Sequence, residues 1–182
     1  MQISIESILS FLSNVIPELI GAAVGAFLGY YYGVIQDRKM RKEEEKGRQN
    51  AVVKSLLTEL ADIKSVLDKG LSGRNFSYPG ISIDYLEILL TTDSFDSVVF
   101  SGSYQMLMIE TQRKLTWFYR GCKRMNELGL QLEYREFNKN EAIAMKFKIK
   151  NIYDGLNEGV AEVIISLQRE LDKPFEINLV RK

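Results

Sequence analysis

The sequence predicts an all-α protein: an N-terminal transmembrane helix followed by an antiparallel helical bundle of three long and one or two short helices. Three observations lead to this class. The 182 residues include only three prolines, which leaves room for long helices. A long uncharged run lies near the N-terminus. Behind it, apolar residues recur at spacings of three and four through several long segments, which is the pattern of amphipathic helices.

The uncharged run covers residues 19–36 and reads LIGAAVGAFLGYYYGVIQ. A hydrocarbon core of ~30 Å needs about 20 such residues, so we predict a transmembrane helix over 17–36. The alternative is a buried central helix of a soluble bundle. A cleaved signal peptide fits poorly, because its positive charges would precede the apolar run. Residues 1–16 form either a short amphipathic segment in the outer interface or an extracytoplasmic extension of a tilted span.

Four basic residues follow the run directly: Arg38, Lys39, Arg41 and Lys42. Lysine and arginine collect on the cytoplasmic side of membrane spans, where they meet lipid headgroups. We therefore expect a single-pass protein of the plasma (inner) membrane, with its N-terminus outside and its C-terminal domain in the cytoplasm. The lipid bilayer is the first expected partner.

Glycines recur every four residues within the run, at Gly21, Gly25, Gly29 and Gly33. This spacing places them on one slowly drifting helix face. Bare backbone on such a face lets a second helix approach closely in lipid, so we predict a homo-oligomer that packs through this glycine zipper. The alternative is that the face meets lipid or another protein, because glycine is common in spanning helices.

The remainder is predicted to consist of a charged juxtamembrane stalk over 37–50 and a cytoplasmic helical-bundle domain over 51–182. An amphipathic helix continues from the stalk and ends before Gly70, a residue type that favours helix ends. The later elements are a loop, two short helices and two long helices: 71–82, 84–91, 93–99, 104–128 and 141–171.

The composition argues against several classes of function. Histidine is absent, so the sequence offers no histidine to act as a catalytic base or metal ligand. Cys122 is the single cysteine, which excludes an internal disulfide and a zinc cluster. No catalytic residue, metal site or cofactor is predicted, and the expected function is not enzymatic. The alternative to a non-enzymatic function is an enzyme that uses carboxylates or lysines. A formal net charge of zero predicts no nucleic-acid partner.

A basic stripe with one tryptophan is the candidate ligand or partner surface. Arg113, Arg120 and Arg124 share a face of the predicted 104–128 helix, and such a stripe suits phosphates, acidic headgroups or a nucleotide. The consecutive aromatics Trp117, Phe118 and Tyr119 cannot all enter one core, and we expect Trp117 to face outward or into a neighbouring element. The alternative is an ordinary solvated helix face.

Two motifs resemble a family of small bacterial and archaeal proteins that pair one N-terminal span with a helical cytosolic domain. The first is LLTEL at 56–60, and the second is a block of threonine, aromatic and glycine followed by a helix with a late tyrosine and asparagine: Thr92, Phe95, Gly102, Tyr119 and Asn126. The similarity covers about residues 50–130. The family's tryptophan after the threonine is missing, since Ser94 and Phe95 stand there. The resemblance implies this architecture and no particular activity.

The expected function is therefore that of a membrane-anchored, self-associating interaction or scaffold protein with an unknown protein partner. The alternative is a membrane-acting effector, in which the cytosolic bundle senses a ligand or partner and the spans assemble into a leak or pore. Its motivation is the same glycine face, because small residues permit dense helix packing.

Overall fold

The computed structural model describes residues 5–71, 74–86 and 89–171, and it confirms the all-α class. Its helices are α1 (Ile5–Asp68), α2 (Asp93–Phe100), α3 (Ile109–Tyr134) and α4 (Lys139–Leu171). Two strands, β1 (Arg74–Tyr78) and β2 (Ile81–Tyr85), lie between α1 and α2, and a 3-10 turn (Ser103–Met106) lies between α2 and α3. The chain divides into two compact units, Met1–Lys46 and Gly47–Lys182, which we call the anchor unit and the folded unit.

The described part of the anchor unit is helical, and Pro17 lies inside α1 rather than at the start of a helix. One helix, over Val15–Asp68, is long and apolar enough to cross a membrane by length and composition alone, and its apolar window is not buried at all. A signal sequence and the mostly buried core helix of a soluble protein pass the same test. Large apolar side chains along it are exposed, including Leu19, Phe27 and Leu28.

The folded unit has one apolar core to which α1, α3 and α4 all contribute. The predicted amphipathic helix after the stalk is confirmed, since its apolar stripe is buried: Val53, Leu56, Leu60, Ile63 and Leu67. The helix ends as expected. The Gly70 N–H donates to the Leu67 carbonyl oxygen at 2.9 Å, and Gly70 has a φ of +78°, which disfavours residues with a Cβ.

A hairpin over 74–85 replaces most of the predicted loop over 71–82 and the first two residues of the predicted short helix over 84–91. Residues 86 and 89–91 are not helical, and residues 87–88 of that prediction lie outside the described residues. Residues 74–85 form two antiparallel strands in which Tyr78 pairs with Ile81 across Pro79 and Gly80. Gly80 has a φ of +78°, as the third residue of a type II turn requires. The helix prediction was wrong at its start because Ile81, Ser82, Ile83, Asp84 and Tyr85 alternate between apolar and polar, and Ile83 and Tyr85 face the core.

The later helices differ from prediction mainly in their boundaries. The predicted short turn over 93–99 is α2. The helix predicted over 104–128 starts later, because Gly102 has a φ of +72° and a 3-10 turn precedes α3. It also ends later, at Tyr134. The predicted last helix is confirmed as α4. Asn138 and Glu141 form a reciprocal capping box at its start, each side chain accepting the other's backbone N–H at 2.9 and 3.0 Å.

Candidate ligand-binding groove

A groove of about 780 Å³ lies within the folded unit between α3 and α4. It brings together the four residues that the sequence singled out as a surface: Arg113, Trp117, Arg120 and Arg124. Their spacing of four, three and four keeps them along one side of α3. On the other wall, α4 contributes Asn151, Ile152, Gly155 and Leu156.

The indole of Trp117 rests against bare backbone on α4. A Cβ placed on Gly159 would lie 2.6 Å from Trp117 Cζ3, and one placed on Gly155 would lie 3.9 Å from Trp117 Cη2. Glycine at 159 therefore makes room for the ring. Trp117 nevertheless keeps 57% of its surface exposed. The side chain thus faces outward and also contacts a neighbouring helix, the two positions expected for it as alternatives.

A second close approach of α3 and α4 forms the groove floor. A Cβ on Gly121 would lie 2.8 Å from Leu156 Cδ2, and Leu156 is buried. Interiors this closely packed leave no space for an added methyl group. The two helices thus contact each other through large side chains that face glycines: Trp117 of α3 faces Gly159 of α4, and Leu156 of α4 faces Gly121 of α3.

Positive charge is segregated into the groove. The chain carries 24 basic and 24 acidic residues, yet none of the described acidic residues lines the groove. Arg124 pairs with Glu127 at 2.6 Å. Within the described ranges, neither Arg113 nor Arg120 forms an ion pair with another side chain. An anion entering the groove would therefore find two guanidinium groups available to it.

Hydrogen bonds hold the α3 wall in place near its start. The Gln112 amide Nε2 donates to the Leu107 carbonyl oxygen at 2.7 Å. Thr116 Oγ1 donates to the Gln112 carbonyl oxygen at 2.8 Å and also lies 2.6 Å from the Tyr104 hydroxyl. The ring of Tyr104 packs edge-on against Phe95. This wall is consequently tied to the core before any ligand binds.

Two buried glutamates fix the starts of the neighbouring helices. The Glu59 carboxylate accepts the backbone N–H groups of Ser94 and Phe95 at 2.7 and 3.2 Å, at the first turn of α2. The Glu170 carboxylate accepts the Met108 N–H at 2.9 Å, just before α3. Negative charge is favourable at a helix N-terminus, where backbone N–H groups lack partners within the helix, and each carboxylate accepts such donors.

Several residues that carry the family resemblance have structural roles in this region. Phe95 stacks on Tyr119 with ring centroids 4.2 Å apart. The Asn126 amide pairs with both backbone groups of Leu90, each at 2.8 Å. The Tyr119 hydroxyl has no well-aligned partner among described residues, although the Glu59 carboxylate is near enough to affect it.

Burial keeps the titratable groups beside Glu59 neutral. Desolvation raises the pKa of Tyr119 far above its ordinary value, and Glu59 adds to this effect. Desolvation, again with Glu59, raises the pKa of the Cys122 thiol to about 12. A buried thiol of this kind is unreactive, so Cys122 behaves as a packing residue and not as a nucleophile.

The other predicted site residues lie in the anchor unit. Gly21, Gly25, Gly29 and Gly33 have no described atom within 4 Å of an added Cβ, apart from their own helix. The basic cluster Arg38, Lys39, Arg41 and Lys42 is exposed. Among the described residues, no group of three or more His, Cys, Asp or Glu side chains is placed to hold a metal ion.

Sequence reasoning missed the α4 wall, above all Gly155, Gly159 and Asn151. The four-residue spacing of the two glycines was a usable signal, because it is the spacing that marks close helix packing. Comparison with models of protein families, with curated proteins and with solved structures gives no match. The functional assignment therefore depends on the geometry of the groove and on the properties of the anchor unit.

Proposed function

We propose that this chain is a single-pass, membrane-anchored and non-enzymatic binding protein whose cytoplasmic folded unit recognises an anionic ligand or partner in the α3–α4 groove. The observation that carries the proposal is the groove itself: three arginines and an exposed tryptophan share one cavity, and no acidic residue in the described ranges lines it. Segregated charge of this kind favours binding of the opposite charge.

The contacts of α3 and α4 support an antiparallel bundle for the folded unit. Thr111 of α3 lies 3.0 Å from Ser166 of α4 through their hydroxyl oxygens. Further along α3, Trp117 meets Gly159 and Gly121 meets Leu156. As the residue number rises along α3, the number of the contacting residue on α4 falls, which is the pattern of two antiparallel helices.

The exposure of the anchor unit supports a membrane location. Its apolar side chains have no protein cover among the described residues, and lipid is the environment that offsets this exposure. The exposed rings of Tyr30, Tyr31 and Tyr32 precede the basic cluster, and this order matches a span that ends in the cytoplasmic headgroup layer.

Membrane topology is tested by cysteine labelling in intact cells. Cys122 is buried with a raised pKa, so the background from the native thiol is low. In a Ser4→Cys variant the added thiol should react with a membrane-impermeant maleimide. In an Asn157→Cys variant it should react only after permeabilisation. Labelling of Asn157→Cys in intact cells, or extraction of the chain by alkaline carbonate, would contradict the proposed anchoring.

We also propose that the anchor units self-associate through the glycine face. Gly25→Leu combined with Gly29→Leu should abolish crosslinked oligomers in membranes, because the added side chains prevent close helix approach. Phe27→Leu is the matched control, since residue 27 points away from the glycine face. Unchanged crosslinking of the glycine variant would rule out this mode of association.

Anion binding is tested with inorganic tripolyphosphate and the full chain in detergent micelles. Calorimetry should show saturable binding that weakens about tenfold or more in Arg120→Gln, as expected for a lost hydrogen bond to a charged group. Lys150→Gln removes a charge of the same sign from α4 outside the groove and should bind like the unaltered chain. Absence of tripolyphosphate binding would overturn the groove's proposed role.

A further inference from the structure

We infer that the ligand of the α3–α4 groove is a nucleotide: a phosphorylated small molecule with a planar heteroaromatic base that stacks on Trp117 and a phosphate group held by Arg120. The inference rests on the anion-binding function proposed above and specifies the class of ligand.

The tryptophan is placed to act as a stacking surface. Its six-membered ring is supported by the Gly155 and Gly159 backbone, while 57% of the residue remains exposed inside a groove. A ring that is already held in place by its support loses little freedom when a base stacks on it. Every nucleobase offers a flat surface that suits such a ring.

The phosphate site lies next to the ring along α3. Arg120 follows Trp117 by three residues and Arg113 precedes it by four, so both share its helix face. These separations correspond to rises of about 4.5 and 6 Å. Arg120 has no ion pair with a described residue, whereas Arg124 is already paired with Glu127. A ligand that carries a ring and a phosphate a few ångströms apart matches this arrangement.

The α4 wall supplies recognition of the base edge. Asn151 lines the groove, and its amide makes no hydrogen bond with a described residue. An amide both donates and accepts, as the edge of a nucleobase does. Ile152 beside it adds apolar contact. The groove volume of about 780 Å³ falls within the range of about 300–1,000 Å³ that is typical of small-molecule sites.

Other anions fit the same surface less completely. An acidic lipid headgroup offers charge to the arginines but no planar ring to Trp117. An acidic peptide would pair with the arginines along the outer face of α3, and it would not need the glycines that hold the indole. The combined ring, phosphate and amide positions therefore favour a nucleotide.

The test uses Trp117 as its own reporter, because it is the single tryptophan of the chain. The full chain in detergent micelles is titrated with ATP, GTP, adenosine or tripolyphosphate, with excitation at wavelengths that the bases do not absorb. We expect saturable quenching by ATP or GTP. Tripolyphosphate should bind by calorimetry with little quenching, and adenosine should bind more weakly than ATP.

Substitutions separate the two halves of the site. Arg120→Gln should weaken nucleotide binding about tenfold or more, and Trp117→Leu, measured by calorimetry, should weaken it by a similar factor. Trp117→Leu should leave tripolyphosphate binding unchanged, and a thermal scan checks that it folds. Lys150→Gln is the charge-matched control and should bind nucleotide like the unaltered chain.

Three outcomes would overturn the nucleotide assignment. Tripolyphosphate that binds as tightly as ATP would show an anion site without base recognition, and would leave the proposed anion-binding function standing. A response to vesicles rich in phosphatidylglycerol, or to a phosphotyrosine peptide, but not to any nucleotide would assign the groove to those ligands. If neither nucleotide nor tripolyphosphate binds, both the inference and the anion-binding function fail.

Discussion

Glycines at four-residue spacing occur in two regions of this protein, and their surroundings differ. In the anchor unit, an added Cβ at Gly25 or Gly29 would meet no described atom outside its own helix. In the folded unit, an added Cβ at Gly159 would collide with Trp117, and one at Gly155 would lie in contact with the same ring at 3.9 Å. The first set leaves a packing surface open, whereas the second is already occupied within the chain.

The contrast extends to the apolar side chains. Leu28 in the anchor unit is 50% exposed, whereas Leu156 in the folded unit is 2% exposed. The same residue types therefore face different environments. In the folded unit they stabilise the fold by leaving water. In the anchor unit they remain exposed, and the function proposed above assigns their cover to a bilayer and to a second helix. Matched substitutions in the two regions test this difference.

The largest effect is expected from Leu156→Ala compared with Leu28→Ala. Leu156→Ala leaves a cavity between α3 and α4 and should lower the free energy of unfolding of the folded unit by about 2–5 kcal/mol. Leu28→Ala should leave it unchanged. Urea unfolding of both variants in detergent, followed by Trp117 fluorescence, measures the difference. Equal losses would mean that the apolar part of α1 is packed as core.

The next effect concerns two glycines of α3. Gly121→Ala places a methyl group against the buried Leu156, whereas Gly129→Ala places one 3.8 Å from Tyr85, an ordinary contact distance. The gain in helix propensity is the same for both, so the difference between the two variants isolates the steric cost, about 1–3 kcal/mol. Gly25→Ala in the anchor unit should not change unfolding of the folded unit. If Gly121→Ala proves as stable as Gly129→Ala, the close approach is absent.

A pH dependence should belong to the folded unit, which holds the chain's only thiol. The pKa of Cys122 is raised from an ordinary 9.0 to about 12 by burial, so the thiol ionises in the unfolded chain first. The neutral Cys122 thiol therefore stabilises the folded state fully below pH 9, and this stabilisation is lost as the pH rises toward 12. The free energy of unfolding should fall by about 1.4 kcal/mol between pH 8 and 10 for this reason. Cys122→Ala should show a correspondingly smaller loss over that interval. The raised pKa of Tyr119 also lowers the stability as the pH rises, but Tyr119 is present in both the unaltered chain and Cys122→Ala, so its effect cancels in the comparison.

The smallest effect on stability, and the most local one, is expected from Gly159→Ala. Trp117 is more than half exposed, so its ring can swing outward at a cost below about 1 kcal/mol. The tryptophan emission should shift to longer wavelength as the ring becomes more hydrated. Gly155→Ala, where an added Cβ would lie 3.9 Å from the ring, should shift it less. Emission that is identical in both variants would contradict the position of Trp117.

Much of the fold was predictable from local pattern. The apolar spacing of α4 and of the α1 stripe placed both helices correctly, because a helix face repeats within a few residues of sequence. Gly70 marked the end of α1 for an equally local reason. The hairpin was missed because the short segment 84–91 fits a helical pattern nearly as well as a strand, and only the alternation through Ile83 and Tyr85 tells them apart.

The groove was predictable only on one side. Arginines spaced along α3 and a tryptophan that could not share the core with Phe118 and Tyr119 were visible as a pattern. Their counterpart was not, because Gly155 and Gly159 lie about forty residues further along the chain and acquire meaning only against Trp117. The Glu59 and Glu170 caps are likewise contacts across 35 and 62 residues.

The sequence by itself therefore determined the helical class, the apolar anchor segment with its glycines and basic flank, and the side of α3 that carries the arginines. These properties follow from periodicity and composition over neighbouring residues. The tertiary structure decided where α3 begins, that residues 74–85 pair as strands, and that the arginines and Trp117 line a cavity to which no described acidic residue contributes. The start of α3 and the lining of the cavity depend on contacts between distant segments, and the hairpin depends on pairing between two neighbouring strands. Residue spacing within one helix encodes none of these contacts.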